Sequence, residues 1–347
     1  MRKVKFLLLM VGVLVLVFSL MPATYADEQV PTIELSPATG GQDDCGCAAR
    51  GGEEQLPTIV LSSPDTVVTN DGLMYSAQEV EAGLPGIEFS SEGTGAAPEF
   101  SAIADDTPVP GLPGPFPGSV IGPDGRTRVW TTTTYPSRAI AFLRITFRGG
   151  VTGSCTGWFI GPCMIATAGH CVYDTTRGWA TSITAYPGRN GSSTPYGSST
   201  AYRLFSVTGW TVSHSWNYDY GAIQLRSRLG NTVGWFGFRW QSSNTFTGPY
   251  TVRGYPADKT YATMWTMTQN PGIRRVSTYH LFYAIDTYNG QSGSPVYHNY
   301  STSCNPCGVA IHTYGVGADP LRQYNSGTRI RQAVFNNLRD WKYLACP

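Results

Sequence analysis

The sequence has 347 residues, 41% of them hydrophobic, which is enough chain to bury a sizeable core. Its formal net charge of +1 hides an uneven distribution of charge. Residues 27–118 contain sixteen acidic residues and one basic residue, a net charge of −15, whereas residues 119–347 contain twenty basic and seven acidic residues, a net charge of +13. The basic residues are scattered rather than clustered, so a nucleic-acid partner is not predicted.

The first 26 residues have the pattern of a secretory signal peptide. Arg2, Lys3 and Lys5 precede an apolar run over residues 6–20, and small residues end this segment at Ala26. The alternative is a membrane anchor, but about 20 apolar residues are needed to span a bilayer. We therefore predict a secreted, extracellular protein that has no membrane association after the signal peptide is removed.

Residues 27–118 resemble a detachable segment more than a folded domain. They are rich in Gly, Pro, Ser and acidic residues, which favours weak order in isolation. Residues 107–118 (TPVPGLPGPFPG) contain five prolines and predict an extended linker. We interpret 27–118 as an acidic propeptide and linker, and a solubilising tail is the alternative. The opposite charges of 27–118 and 119–347 predict that the propeptide docks on the following domain and inhibits it.

Residues 119–347 predict a mainly β-structured domain. Short β-rich runs alternate with turn residues, and apolar residues at helical spacing follow from Thr328 onward. The pattern indicates a sandwich or one or two barrels, closed by a C-terminal helix. The predicted strands cover residues 140–147, 157–160, 201–207, 222–225, 250–254 and 308–311.

Three residues of this domain suggest nucleophilic catalysis. His170 lies in ATAGHC, Asp219 in NYDYGAI and Ser292 in NGQSGSP. A serine hydroxyl needs a base to take its proton, imidazole suits that role, and a buried carboxylate can orient the imidazole. The order His, Asp, Ser differs from that of subtilisin and of the α/β-hydrolases. We predict that these residues form a catalytic triad, which needs no cofactor.

The segments TAGHC (167–171) and GQSGSP (290–295) resemble those of bacterial chymotrypsin-like serine proteases. This resemblance implies an all-β fold of two Greek-key β-barrels. It also implies a disulfide between Cys155 and Cys171, and an oxyanion hole formed by the backbone N–H groups of Gly290 and Ser292.

The other cysteines of the domain are open to more than one reading. Cys304 and Cys307 have the C-x-x-C spacing of a redox or zinc site, but in an exported protein without a second such pair we favour a local disulfide. Cys163 and Cys346 then remain to pair with each other. No clustered carboxylate loop is present, so no metal site is predicted.

Further segments are similar to those of bacterial glutamyl endopeptidases, and this similarity covers nearly all of 119–347. They are residues 119–127 (SVIGPDGRT), 155–157, 186–188, 231–234, 254–259 (GYPADK) and 285–287. The resemblance implies that His312 and Thr287 bind the carboxylate of a substrate glutamate. It also implies a contribution from the N-terminal ammonium group, which Ser119 supplies if processing exposes it.

Two alternatives to a protease that cleaves after Glu remain at this point. Asp286 lies six residues before Ser292, at the position whose carboxylate confers Arg/Lys specificity on trypsin. The absence of glutamate from 119–347 favours cleavage after Glu, because such an enzyme does not destroy itself. A non-catalytic secreted binding module is the alternative of another class. We expect a monomer that acts on protein or peptide substrates, after Glu and less readily after Asp.

Overall fold

The computed structural model describes residues 63–76, 86–97, 102–103, 107–112 and 118–347. The predicted signal peptide and much of the acidic segment lie outside these residues. All described residues belong to one compact unit, residues 59–347. None of the helices within the described ranges is long and apolar enough to cross a membrane.

Strands dominate the described part of the chain, as predicted. In chain order the strands are β1 (Val67–Thr69), β2 (Met74–Tyr75), β3 (Ile87–Glu88), β4 (Ala102–Ile103), β5 (Thr127–Arg128), β6 (Ile140–Thr146), β7 (Thr152–Phe159), β8 (Met164–Thr167), β9 (Tyr173–Asp174), β10 (Gly178–Trp179), β11 (Ser182–Pro187), β12 (Ser193–Thr194), β13 (Ser199–Val207), β14 (Gly221–Leu225), β15 (Gly237–Arg239), β16 (Tyr250–Gly254), β17 (Trp265–Gln269), β18 (Ile273–Val276), β19 (His280–Tyr283), β20 (Pro295–His298), β21 (Cys307–Tyr314) and β22 (Asn325–Arg329).

Helical structure is limited to short segments and one longer helix at the C-terminus. The described helices are α1 (Gly169–Val172), α2 (Thr208–Thr211), α3 (Gly230–Val233) and α4 (Gln332–Lys342), with 3₁₀ turns at Ser137–Ala139, Trp216–Tyr218 and Val316–Ala318.

Two barrel-like sheets form the framework, so the predicted fold class is confirmed. In the first sheet the order is β11-β6-β7-β8-β14-β13, and β11 also pairs with β13, which closes the sheet on itself. Three consecutive strands, β6 to β8, are adjacent, and β11 returns to lie beside β6, which is a Greek-key connection. The second sheet has the order β18-β19-β22-β21-β20-β16-β17-β5.

Each sheet encloses apolar side chains. Strand β16 illustrates the pattern, because Tyr250 and Val252 are buried while Thr251 and Arg253 between them are partly exposed. In the first sheet Leu143, Ile145 and Ile165 are fully buried and belong to the larger of the two described core clusters. This alternation of burial fixes the register of the strands and therefore the position of the loops that follow them.

The C-terminal helix begins later than the sequence pattern predicted. The spacing of apolar residues placed its start at Thr328, but Asn325–Arg329 is strand β22 and the helix begins at Gln332. Strand β22 pairs with β19 on one side and with β21 on the other, and these two ladders of hydrogen bonds outweigh the local helical pattern. Trp341 then packs its ring against Phe205 on β13 of the first sheet.

Parts of the acidic segment add strands to the edges of the domain. Strand β1 pairs with β13, β3 with β15, and β4 with β12. We expected weak order for this segment in isolation. Here the domain supplies strand edges whose N–H and C=O groups hydrogen-bond with those of the segment, which offsets the entropy lost on ordering.

Three disulfides tie the domain together. They join Cys155 to Cys171, Cys163 to Cys346, and Cys304 to Cys307. The second of them links the C-terminus to the turn between β7 and β8.

Candidate active site

His170 and Asp219 are brought together by two neighbouring strands of the first sheet. His170 lies on α1, directly after β8, and Asp219 lies two residues before β14. Strands β8 and β14 are antiparallel neighbours in which Thr167 pairs with Gly221. In an antiparallel pair the end of one strand meets the start of the other, so the two residues are adjacent although 49 positions separate them.

The two side chains form a close, buried pair. The backbone N–H of His170 donates to Asp219 Oδ1 at 2.8 Å, and His170 Nδ1 lies 2.7 Å from Asp219 Oδ2. Asp219 is fully buried, and Thr328 Oγ1 donates to its backbone carbonyl at 2.9 Å. This contact fixes the ring and leaves His170 Nε2 buried without a hydrogen-bond partner among the described residues. A nitrogen placed in this way is suited to accept a proton.

Ser292 lies on a tight loop of the second sheet, just before β20. Gly290 and Gly293 on either side have φ angles of 91° and 87°, a left-handed conformation that favours glycine. Gly293 N–H donates to the carbonyl of His312 at 2.7 Å, and Thr156 N–H donates to the carbonyl of Ser292 at 2.8 Å. The loop is therefore fastened both to β21 of its own sheet and to β7 of the first.

The peptide group between Asn289 and Gly290 is oriented by a hydrogen bond on its far side. Its carbonyl accepts a hydrogen bond from Ala257 N–H at 2.7 Å. Because the C=O and N–H groups of a trans peptide point in opposite directions, the N–H of Gly290 points away from Ala257. Thr156 Oγ1 donates to the next carbonyl, that of Gly290, at 2.9 Å. Both peptides of this loop are thus held in place before any substrate is present.

His312 lies on β21 in fully buried surroundings. Its Nδ1 is 2.7 Å from the hydroxyl of Tyr283, which is itself completely buried. Burial lowers the pKa of His312 to about 3, and the nearby charge of His170 adds to this effect. Burial also raises the pKa of Tyr283 well above its usual value, so its hydroxyl keeps its proton. His312 is therefore neutral near pH 7 in the absence of a bound anion.

Thr287 and Ser119 meet on the same side of the serine loop. The N–H of Thr287 donates to the carbonyl of Ser119 at 3.2 Å. Thr287 Oγ1 is buried and has no hydrogen-bond partner among the described residues. Asn325 holds Ser119 from the other side, accepting from its N–H at 3.0 Å and donating to its carbonyl at 2.6 Å. Asn325 pairs in register with Tyr283, the partner of His312, so contacts connect all three predicted substrate-binding residues.

Asp286 binds the backbone of a neighbouring segment. Its Oδ1 accepts from the N–H of Ile121 at 2.7 Å, and its Oδ2 accepts from the N–H of Gly125 at 2.8 Å. Its side chain is almost completely buried. Both oxygens of this carboxylate thus have backbone donors, and they fasten residues 121–125 to the loop that precedes Ser292.

Several residues that shape this site do not stand out in the sequence. Tyr283 and Asn325 position His312 and Ser119, yet neither lies in a recognisable motif. Asn325 contacts Ser119 across 206 positions, and no local pattern predicts a contact at that separation. Thr156 lies in segment 155–157, and the similarity of this segment to glutamyl endopeptidases is the one sequence feature that indicates it.

Comparisons with known proteins find similar sequences and a similar solved structure. Residues 131–334 match the family model described as Trypsin. The chain is 44% identical over 299 residues to a glutamyl endopeptidase of Bacillus licheniformis, covering 82% of this chain and 90% of that protein. It is 42% identical over 289 residues to a Bacillus subtilis protein named extracellular metalloprotease, with the same coverage. A solved structure of a Glu endopeptidase in complex with MPD is similar with a TM-score of 0.57 and 33% identity, covering 65% of this chain and all of that one.

Proposed function

Because the chain belongs to the trypsin family of serine proteases, we propose that it is a secreted glutamyl-specific endopeptidase in which His170, Asp219 and Ser292 form the catalytic triad. The observation that carries this proposal is the buried His170–Asp219 pair beside a serine loop whose peptide groups are already oriented. Its relatives include a protein named glutamyl endopeptidase and one named extracellular, which support specificity and secretion respectively.

The proposed reaction is acyl transfer through two tetrahedral intermediates. Ser292 Oγ attacks the carbonyl carbon of the scissile bond while His170 Nε2 accepts the hydroxyl proton. Asp219 stabilises the imidazolium, and the N–H groups of Gly290 and Ser292 donate to the oxyanion. The intermediate collapses as His170 gives its proton to the leaving amine. Water then attacks the acyl-enzyme by the same route, and Ser292 regains its proton.

Specificity for glutamate is supported by two buried groups that can donate to a carboxylate. The unpartnered Thr287 hydroxyl and the His312 imidazole can both donate to a substrate carboxylate. The Thr287 hydroxyl is buried and unpaired in the described structure, which is costly, so a substrate that supplies a carboxylate gains more than one that does not. Ser119 lies against Thr287 in the precursor, and cleavage before it would place an ammonium group beside this pocket.

The alternative of Arg/Lys specificity finds no support in the surroundings of Asp286. Both of its oxygens accept backbone hydrogen bonds from residues 121–125, and its side chain is buried. In the described structure this carboxylate therefore anchors a backbone segment and is not exposed to a substrate guanidinium.

Metal-dependent hydrolysis, which the name of one relative suggests, does not fit the donor set. In the part of the chain described here, the one cluster of three potential metal ligands is Cys155, His170 and Cys171. The two sulfur atoms are bonded to each other in a disulfide, so they are not available as thiolate ligands.

The acidic segment is proposed to act as an intramolecular inhibitor held partly by charge. Three of its acidic residues pair with basic residues of the domain, at 2.7 Å each. The pairs are Asp65–Arg331, Asp71–Arg203 and Glu88–Lys342. If charge dominates docking, inhibition of the processed enzyme by an added 27–118 segment should weaken at high salt. Inhibition unaffected by salt would contradict this view.

The experiment that tests the proposed function is steady-state kinetics on the processed protein. Matched peptides ending in Glu, Asp, Gln, Arg or Phe before a chromogenic leaving group are compared, with Ser292→Ala as the control. We expect turnover mainly after Glu, and none with the variant. Turnover mainly after Arg would contradict the assigned pocket, and equal turnover by wild type and variant would contradict the triad.

A further inference from the structure

Residues 107–112 of the acidic segment, here called the strap, lie along strand β7 beside the serine loop. The N–H of Ser154 donates to the carbonyl of Pro110 at 2.7 Å, and the N–H of Leu112 donates to the carbonyl of Ser154 at 2.8 Å. These two bonds form a parallel bridge centred on Gly111. Ser154 immediately precedes Cys155, whose disulfide partner Cys171 follows His170, so the strap lies at the catalytic centre.

Gly111 touches the peptide group that is proposed to stabilise the oxyanion. A Cβ atom added at Gly111 would lie 2.5 Å from Gly290 N and 2.5 Å from the carbonyl carbon of Asn289. Separations this short to backbone atoms are prohibitive, so only glycine fits here without displacing the strap or the loop. The strap therefore covers the peptide that a substrate carbonyl must approach.

Apolar contacts hold the strap on both sides of Gly111. Val109 is 6% exposed and lines a cavity of about 260 Å³ together with Phe142, Tyr255 and Tyr261. Leu112 packs against Gly153, where an added Cβ would lie 2.3 Å from its side chain. Arg144 also donates to the carbonyl of Thr107 at 2.8 Å. The strap thus has specific hydrogen bonds, buried apolar side chains and a close glycine contact.

The direction of the chain distinguishes the strap from a substrate. In the proposed function the glutamate side chain of a substrate lies by Thr287 and His312 of the second sheet. The leaving amine takes its proton from His170, which the Cys155–Cys171 disulfide places beside β7, so a substrate runs from the pocket toward β7. The strap lies on β7, and Gly118 and Ser119, later in the chain, lie against Thr287. Along the chain, the described residues at β7 thus precede those at the pocket, the order opposite to that of a substrate.

We propose that the strap closes the catalytic cleft of the precursor by binding in the reverse of the substrate direction, with Gly111 seated on the oxyanion-stabilising peptide. Reverse binding keeps a carbonyl of the strap from being presented to Ser292 in the reactive orientation, so the enzyme is blocked without cutting its own inhibitor. This inference rests on the proposed protease function and gives the propeptide a defined inhibitory element.

The test measures how accessible Ser292 is in the full-length precursor. A fluorophosphonate reacts with the serine oxygen, forming an O–P bond and releasing fluoride and a proton, and intact-mass spectrometry follows labelling of precursor and processed protein separately. The variant is Gly111→Ala, whose new methyl group displaces the strap. Thr107→Ala is the matched control, because that side chain is exposed on the same strap.

We expect the wild-type precursor and Thr107→Ala to label slowly and Gly111→Ala to label at least about tenfold faster, a factor equivalent to about 1.4 kcal/mol. Equal rates for wild-type and Gly111→Ala precursors would overturn the proposal, as would a wild-type precursor that labels as fast as the processed enzyme. Residue 111 is absent from the processed protein, so equal labelling after processing shows that Gly111→Ala folded correctly. Failure of processed wild type to label at Ser292 would instead contradict the protease function.

Discussion

His312 combines two properties that a carboxylate-binding residue needs. Burial keeps its pKa at about 3 when no anion is bound, and the hydroxyl of Tyr283 orients its ring at 2.7 Å. A neutral, oriented imidazole can donate one hydrogen bond to an arriving carboxylate and gains a proton more readily once that negative charge is beside it.

We predict that His312→Ala lowers kcat/KM for Glu substrates by roughly 10² to 10³, because a buried donor to the substrate carboxylate is lost. Activity on a Gln substrate should fall much less, so the Glu/Gln ratio is the decisive measurement. His298→Gln serves as the control, since this histidine is partly buried and lies outside the site. An unchanged Glu/Gln ratio in His312→Ala would exclude a role in specificity.

Thr287 and Thr156 are both buried threonines, but we expect their replacement by valine to affect stability differently. Thr287 Oγ1 has no partner in the described structure, whereas Thr156 Oγ1 donates to Gly290 and accepts from Tyr255 N–H. Thr287→Val should therefore reduce kcat/KM for Glu by about tenfold without lowering the melting temperature. Thr156→Val should lower both activity and the free energy of unfolding, by about 1–3 kcal/mol. Thermal melts and kinetics on both variants check this contrast.

Among the structural elements, the segment 121–125 is joined to the loop before Ser292 by one carboxylate. Asp286 accepts both of its backbone hydrogen bonds to this segment, at 2.7 and 2.8 Å. The segment follows Ser119 directly, so its anchoring also determines where the proposed N-terminus lies.

We predict that Asp286→Asn destabilises the processed enzyme by about 1–3 kcal/mol, because the amide nitrogen would face a backbone N–H donor. KM for Glu substrates should rise because the segment that follows Ser119 is held less firmly. The rate of cleavage after Arg should be the same in the variant and in the wild type. Urea unfolding and peptide kinetics measure these effects, and loss of a measurable Arg activity in the variant would restore the trypsin-like alternative.

For the molecule as a whole, buried histidines predict sensitivity to acid. Burial lowers the pKa of His280 to about 4, where its ring is stacked 4.2 Å from that of Trp216. His312 behaves similarly, with a pKa of about 3. Because unfolded histidine titrates near 6.5, the unfolded chain binds more protons than the folded one below that pH. The free energy of unfolding should therefore fall as the pH drops from about 6.5 toward 4.

This prediction is checked by urea unfolding of Ser292→Ala at pH 7 and 4.5, a variant that prevents autolysis. His280 alone should contribute a loss of roughly 2 kcal/mol over this interval. His280→Phe keeps an aromatic ring against Trp216 and should reduce the loss by a similar amount. A free energy of unfolding that does not change with pH, or that rises toward pH 4.5, would contradict the assignment.

The sequence alone was sufficient for features that depend on residue order, local pattern and composition. The segments around His170 and Ser292, the strand-and-turn pattern and the opposite charges of 27–118 and 119–347 can all be read along the chain. The resemblance of the segments around His170 and Ser292 to chymotrypsin-like proteases implied the chymotrypsin-like fold, which the structure and the comparisons confirm. The start of the last helix was misplaced, because pairing of β22 with two neighbouring strands overrides the apolar spacing from Thr328.

Which groups meet across long stretches of chain depends on the tertiary structure. Asn325 holds Ser119 from 206 positions away, Asp286 binds residues 121–125 rather than facing an open pocket, and Gly111 lies on the Asn289–Gly290 peptide. A shift of only a few tenths of an ångström, or a change in the direction of a single N–H group, would weaken these contacts. Strand pairing and core packing set such positions, and the identities of neighbouring residues in the sequence do not contain them.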